Sequence, residues 1–269
     1  MDNSRKVELA VAAAISIAMI LLILLVRQFA SPINIESPGL ITESEPIVVF
    51  PDFATISNVD IKKQWFFDFL QDYIVAANTK VASERKQLLS YADLLGENAA
   101  LSSREREFVL QMADKYRLET EMQTDTQVVR ELLLRVDEIP VSLVLAQAAN
   151  ESAWGTSRFT LEGNNIFGQW CFVEGCGIVP RQRVNGATHE VKSFESVESA
   201  VEAYFLNINS HNVYSYLREL RAYMRSQQQS LDPMVLAFGL GRYSQRGEHY
   251  VDEVQTLIIQ NDLRLRDRS

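Results

Sequence analysis

Residues 139–159 read IPVSLVLAQAANESAWGTSRF, and the spacing predicts a helix opened at Pro140, a residue suited to a first helical position, and stopped by Gly155. At about 100° per residue, Val141, Val144, Ala148 and Glu151 fall within one quadrant of that helix. Glu151 therefore shares the face that should be buried. A carboxyl held against apolar neighbours keeps its proton toward neutral pH, which is what a general acid acting on a leaving-group oxygen requires. The opposing reading is a solvated glutamate in a fraying last turn.

Outward from this helix, the chain reads as an α+β protein that is mostly α. Amphipathic helices are expected over Ile61–Leu95 and Ser102–Leu118, the second capped by Ser102 or Ser103 with Glu105 or Glu107. Further helices are expected over Thr126–Val136, Ser196–Asn209 and Pro233–Leu240. The cluster Trp65, Phe66, Phe69 and Tyr73 has helical spacing and reads as core packing. Between the helices, Phe167–Phe194 is rich in Gly and β-branched residues, with apolar runs at Cys176–Val179 and Glu190–Phe194, and suggests a small hairpin lobe.

The 269 residues carry 47% hydrophobic and 23% charged side chains, enough for a sizeable core. A net charge of -9 with no basic stripe argues against a nucleic-acid partner. Leu9–Val26 holds no charge and is long enough to be a membrane-helix candidate. Arg5 and Lys6 before it, against Arg27 after it, give a slight bias toward a cytoplasmic N-terminus, with the rest of the chain outside the cytoplasm. A cleaved secretory signal is the rival, but Gln28-Phe29-Ala30 lacks the small residue expected two places before a cleavage point. Residues 1–30 are thus read as anchor, 31–58 as a Pro- and Ser-bearing tether, 59–136 as a helical segment and 137–265 as the catalytic domain.

Cys171 and Cys176, the only cysteines, stand in QWCFVEGCG, where a tight loop makes a small disulfide plausible outside the cytoplasm. Two cysteines without a close histidine are a poor zinc signal, since a structural site takes four ligands. No metal and no cofactor is expected.

AQAANESAWGTSRF, GNNIFGQW and RYSQRGEHY, in that order, resemble the glucosaminidases of glycoside hydrolase family 73. The added EGCGIVP makes the chain look particularly like the Bax branch of Gram-negative bacteria. The resemblance spans about residues 60–265. It implies a two-lobed, lysozyme-like fold that hydrolyses the bond after N-acetylglucosamine in peptidoglycan glycan strands, with Glu151 as general acid. It also carries Asn165, Phe167 and Tyr243 over as cleft residues, Tyr243 opposite the acid. Gln147, one turn before Glu151, is read as a substrate contact or a helix-packing group, and Trp154 as a sugar platform or a wall of the acid's pocket. The family's second glutamate has no counterpart in PRQRVNG, residues 180–186, where Gln182 or its neighbours stand. Glu174 and Glu190 are then the candidates for a second carboxylate, or the substrate's own N-acetyl oxygen attacks the sugar carbon. A non-catalytic wall-binding module and a lytic transglycosylase, which needs a single acid/base, remain alternatives.

Overall fold

The computed structural model describes residues 50–268, apart from Asn98, Gln182, Val184 and Asn185. The expected anchor and most of the expected tether lie outside the described residues, as does Gln182. Among the described residues no helix is long and apolar enough to cross a membrane.

Packing begins earlier than the expected tether boundary. Phe50 and Phe53 are buried, and Phe53–Thr55 forms one turn of 3₁₀ helix capped by Asp52. Both rings meet Phe69 edge-on, and Phe53 also meets Phe66. Aromatic burial of this kind outweighs the disorder suggested by nearby Pro and Ser.

Helix α1, Val59–Gly96, starts at Asn58, whose side chain accepts from the Asp60 and Ile61 amides. Its buried stripe runs Phe67, Leu70, Ile74, Ala77, Val81, Leu88 and Tyr91, the three- and four-residue spacing of one helical face. Phe66 joins it, whereas Trp65 points to solvent. Helix α2, Ser103–Lys115, is closed by a reciprocal cap between Ser102 and Glu105, and α3, Asp125–Arg135, by one between Thr124 and Gln127.

Helix α4, Val141–Glu151, is the centre of the fold. Every residue from Val141 to Ala149 is buried, so this helix has no solvent face and the expected quadrant is only part of a wholly enclosed cylinder. Pro140 is its cap and not its first residue, and a proline side chain cannot accept from the exposed amides. Asp267 takes that role from the far end of the chain, accepting from the Ser142 amide at 2.8 Å and its hydroxyl at 2.7 Å. Around α4 pack α1, the C-terminal turns Leu263–Arg268 and a helix that sequence periodicity did not reveal, Glu248–Gln260.

After α4 come α5, Arg158–Gly163, then the sheet, then α6, Val197–Ser210, and α7, Ser215–Ser226. The expected helix over Pro233–Leu240 is α8, Pro233–Leu236, tightening into 3₁₀ over Ala237–Leu240, and Glu248–Gln260 is α9. The small lobe is a three-stranded antiparallel sheet in the order β1-β3-β2, where β1 is Trp170–Cys171, β2 Gly177–Ile178 and β3 Glu190–Lys192. Trp170 pairs with Val191, Cys171 with Glu190, and Gly177 with Lys192. Cys171 and Cys176 form the expected disulfide, which spends both sulfurs on each other.

Candidate active site

Glu151 ends α4 where the chain turns out of the core. The turn is unusual: Ala153, Trp154 and Gly155 have φ of 50°, 60° and 75°, three left-handed residues in succession. For the two that carry a Cβ this conformation costs on the order of 1 kcal/mol each. Ser152 holds the bend by donating to the Ala148 carbonyl and accepting from the Gly155 amide at 2.8 Å. A Cβ on Gly155 would stand 2.7 Å from a Phe50 ring carbon and 2.8 Å from one of Phe53, so the N-terminal aromatics pack directly on the bend. Trp154 is drawn into the same cluster, edge-on to Phe66 and Phe67 with Lys63 over its ring.

The bend leaves the Glu151 carboxyl partly buried, with its Oε1 enclosed and unpartnered among the described residues. Burial raises its pKa above the usual glutamate value, and the neighbouring Glu253 adds to this; a hydrogen bond from Tyr250 and the Arg246 guanidinium pull the other way. Gly168, at φ 64°, lies against the other oxygen, where a Cβ would come to 3.3 Å from Oε2. Arg246 is itself bound to Glu253 at 2.6 Å and lies over the Tyr250 ring. Asn150 donates to Glu253 and lines a surface depression with His249, Asp252 and Thr256.

Behind the carboxyl stands a stack of aromatic rings. Tyr243 lies flat on Tyr250 at 5.3 Å, and Phe167 on Tyr204 at 4.1 Å. The Tyr243 hydroxyl donates to the Phe167 carbonyl at 2.7 Å, tying the loop before the sheet to the segment before α9. Gln147 is fully buried; its amide nitrogen donates to the Tyr250 hydroxyl at 2.9 Å and its oxygen accepts from Tyr204, so this amide faces tyrosines and not a ligand. Asn165 is also buried, donating to the Gln169 and Lys192 carbonyls and accepting from the Gln169 amide, which fixes the entry to β1.

The two small-lobe carboxylates differ. Glu190 is buried and accepts from the Gly175 amide at 3.1 Å and the Gly177 amide at 2.8 Å, one on each oxygen. Glu174, at the tip of the disulfide loop, is exposed. Beside it Phe172 and Val173 also face solvent, and Trp170 stacks on His189.

The structure thus brings Tyr243 near the Glu151 carboxyl, links Gln147 to it only through Tyr250, holds Phe167 against Tyr204 and Tyr243, and packs Trp154 into the α1 cluster. Residues 127–263 match the family described as mannosyl-glycoprotein endo-beta-N-acetylglucosaminidase. The chain belongs to this glucosaminidase family. It is a glycoside hydrolase by that membership. Protein bax of Escherichia coli (strain K12) is 32% identical over 200 residues, covering 74% of this chain and 70% of that protein. Among solved structures, the catalytic domain of the autolysin Auto from Listeria monocytogenes aligns over 79% of this chain and 92% of its own, at 16% identity and a TM-score of 0.39. Within this glucosaminidase, Tyr250, Arg246 and Glu253 stand beside the acid, and Tyr204 behind Gln147, without having been singled out from the sequence. Tyr250 was within reach, because it sits in the RYSQRGEHY segment.

Proposed function

We propose that this glucosaminidase cuts the glycan strands of peptidoglycan after N-acetylglucosamine, with Glu151 as the general acid. The observation that carries the reading is the Glu151 carboxyl itself: partly buried, raised in pKa by that burial, and with one oxygen bare of partners inside the fold. Such a group keeps its proton to higher pH than an ordinary glutamate and can pass it to a glycosidic oxygen as the bond to the sugar carbon breaks.

The carbon left electron-poor needs a nucleophile. Glu190 has both oxygens engaged by backbone amides, so the assignment goes to Glu174, exposed on the loop that supplies those amides, as the base that takes a proton from the attacking water. The charge-free stretch Leu9–Val26, the Cys171–Cys176 disulfide and the wall substrate together support an enzyme tethered to the inner membrane with its catalytic domain in the periplasm.

Full-length protein in detergent, incubated with purified sacculi, should release soluble fragments with new N-acetylglucosamine reducing ends. Glu151→Gln should lower that rate roughly 10²- to 10⁴-fold. Anhydro-muramic ends would reassign the chemistry to a lytic transglycosylase, and binding without release would leave a wall-binding module. Full activity in Glu174→Gln would hand the nucleophile's role to the substrate's acetamido oxygen.

A further inference from the structure

Gln147 and Tyr204 sit inside the core, away from any path a sugar could take, yet both are polar and both are joined through Tyr250 to the Glu151 carboxyl. The directions of the hydrogen bonds matter. The Tyr204 hydroxyl has a donor's proton and gives it to the Gln147 oxygen. That fixes which end of the amide faces Tyr250, so the Gln147 nitrogen donates to the Tyr250 oxygen. With its oxygen receiving that proton, Tyr250 keeps its own O–H to donate, and the Glu151 carboxyl beside it is the group whose proton affinity that O–H lowers. Each link determines the next, and all point toward the carboxyl.

We infer that Tyr204, Gln147 and Tyr250 form a one-way hydrogen-bond chain that orients the Glu151 carboxyl and sets how tightly it holds its proton, with Tyr204 and Gln147 acting as positioning residues that never touch substrate. The inference rests on the reading of Glu151 as the acid. Oε1 is enclosed and without a partner among the described residues, so few other donors compete to fix the carboxyl. Three buried tyrosine and amide side chains in a row are costly to enclose unless every donor finds an acceptor, so the chain holds one arrangement. Stacking supports this, since Phe167 lies on Tyr204 and Tyr243 on Tyr250, which leaves the two phenols little freedom to swing.

The chain's sign is testable. Tyr250 donates to the ionised carboxylate and so favours it; losing the donor leaves the neutral acid relatively more stable, and Glu151 should release its proton at higher pH. Tyr250→Phe should shift the alkaline limb of kcat upward by roughly one pH unit, the size of one hydrogen bond to a charged group, with KM little changed. Tyr204→Phe is the decisive variant. It touches nothing on Glu151, but without the Tyr204 proton the amide is free to turn over, accept from Tyr250 and divert its O–H. An upward shift is therefore expected from Tyr204→Phe; Gln147→Leu, which removes the donor that polarises the Tyr250 O–H but offers it no rival acceptor, should give a smaller shift in the same direction and carries the test if Tyr204→Phe does not fold. A limb that stays in place in these folded variants, while the rate falls equally at all pH, would reduce the three residues to packing and overturn the inference. Titrating the ¹³C-labelled Glu151 carboxyl by NMR in the same full-length variants reads the chain without activity. An upward-shifted titration together with an active Glu151→Gln enzyme would sink only the acid assignment, and an unshifted titration would sink the chain.

Discussion

Burial holds the Glu151 proton more tightly in the folded chain than in the unfolded one, and this has a sign for stability. An acid whose folded pKa is raised loses stability as pH climbs through the gap between its unfolded and folded values, because the folded state must then carry a poorly solvated charge. Glu151→Gln removes that burden. The variant should melt at a higher temperature than the parent at pH 7, and the two should converge below about pH 4, where an unfolded glutamate is itself protonated. Thermal melts across pH read this directly, and a variant that melts lower at pH 7 would mean the carboxylate is better served than its surroundings suggest. Glu151 was legible in the sequence because an ionisable residue interrupted a run of apolar ones. Its partners were less so: Gln147 stands one turn away on the same face, but the tyrosines that consume its amide come from helices far along the chain, and spacing within one helix cannot report them.

Among the elements, the small sheet shows how little chain can hold a lobe. Its strands are two or three residues long, below what ladder pairing alone stabilises. The disulfide closes the loop between β1 and β2, and Glu190 on β3 gathers two amides of that same loop. Glu190→Gln would present one amide nitrogen to a backbone N–H that needs an acceptor. We expect hydrogen exchange at the Gly175 or Gly177 amide to rise by about tenfold or more, as loss of a charge-assisted bond of roughly 1.5 kcal/mol implies, while Glu174→Gln leaves both amides protected. Unchanged protection in Glu190→Gln would show that the disulfide alone holds the loop and return Glu190 to the pool of catalytic carboxylates. Clustered Gly and β-branched residues marked this lobe in advance. Helices α7 and α9 were not marked: α7 buries two arginines along with Leu217 and Met224, so an apolar periodicity misses its inner face, and α9, capped by Gly247, interleaves Glu248, Asp252 and Glu253 with its apolar residues.

Those arginines organise the molecule as a whole. Asp137 sits buried in the turn between α3 and α4, where Arg225 holds it through two bonds at 2.8 and 3.1 Å and Arg85 approaches from α1 at 3.5 Å. Arg221, fully buried, gathers the carbonyls of Leu134, Arg135, Asp137 and Glu138, and Arg85 takes those of Leu133 and Val136. One short turn is thereby clamped by α1 and α7, helices remote from each other in the chain, and α4 with its acid departs from that turn. Burial pushes the Asp137 carboxyl up, but the guanidiniums of Arg225, Arg221 and Arg85 together bring it below the usual aspartate range. Its contribution is therefore present above the unfolded aspartate value of about 3.9 and fades as pH falls toward the folded one. The sequence shows Asp137-Glu138-Ile139-Pro140 only as a helix break, because the three arginines that give it meaning are remote in the chain and no local pattern pairs them. Asp137→Asn keeps the shape and strands Arg221 without a counter-charge. We predict a loss of about 3–5 kcal/mol at pH 7, the usual cost of breaking a buried pair from one side, measured by denaturant unfolding with the slope unchanged, and a gap that narrows on acidification. A loss under about 1 kcal/mol would mean that the backbone carbonyls around Arg221 satisfy it without the carboxylate, and that the turn before α4 is held by hydrogen bonds and not by charge.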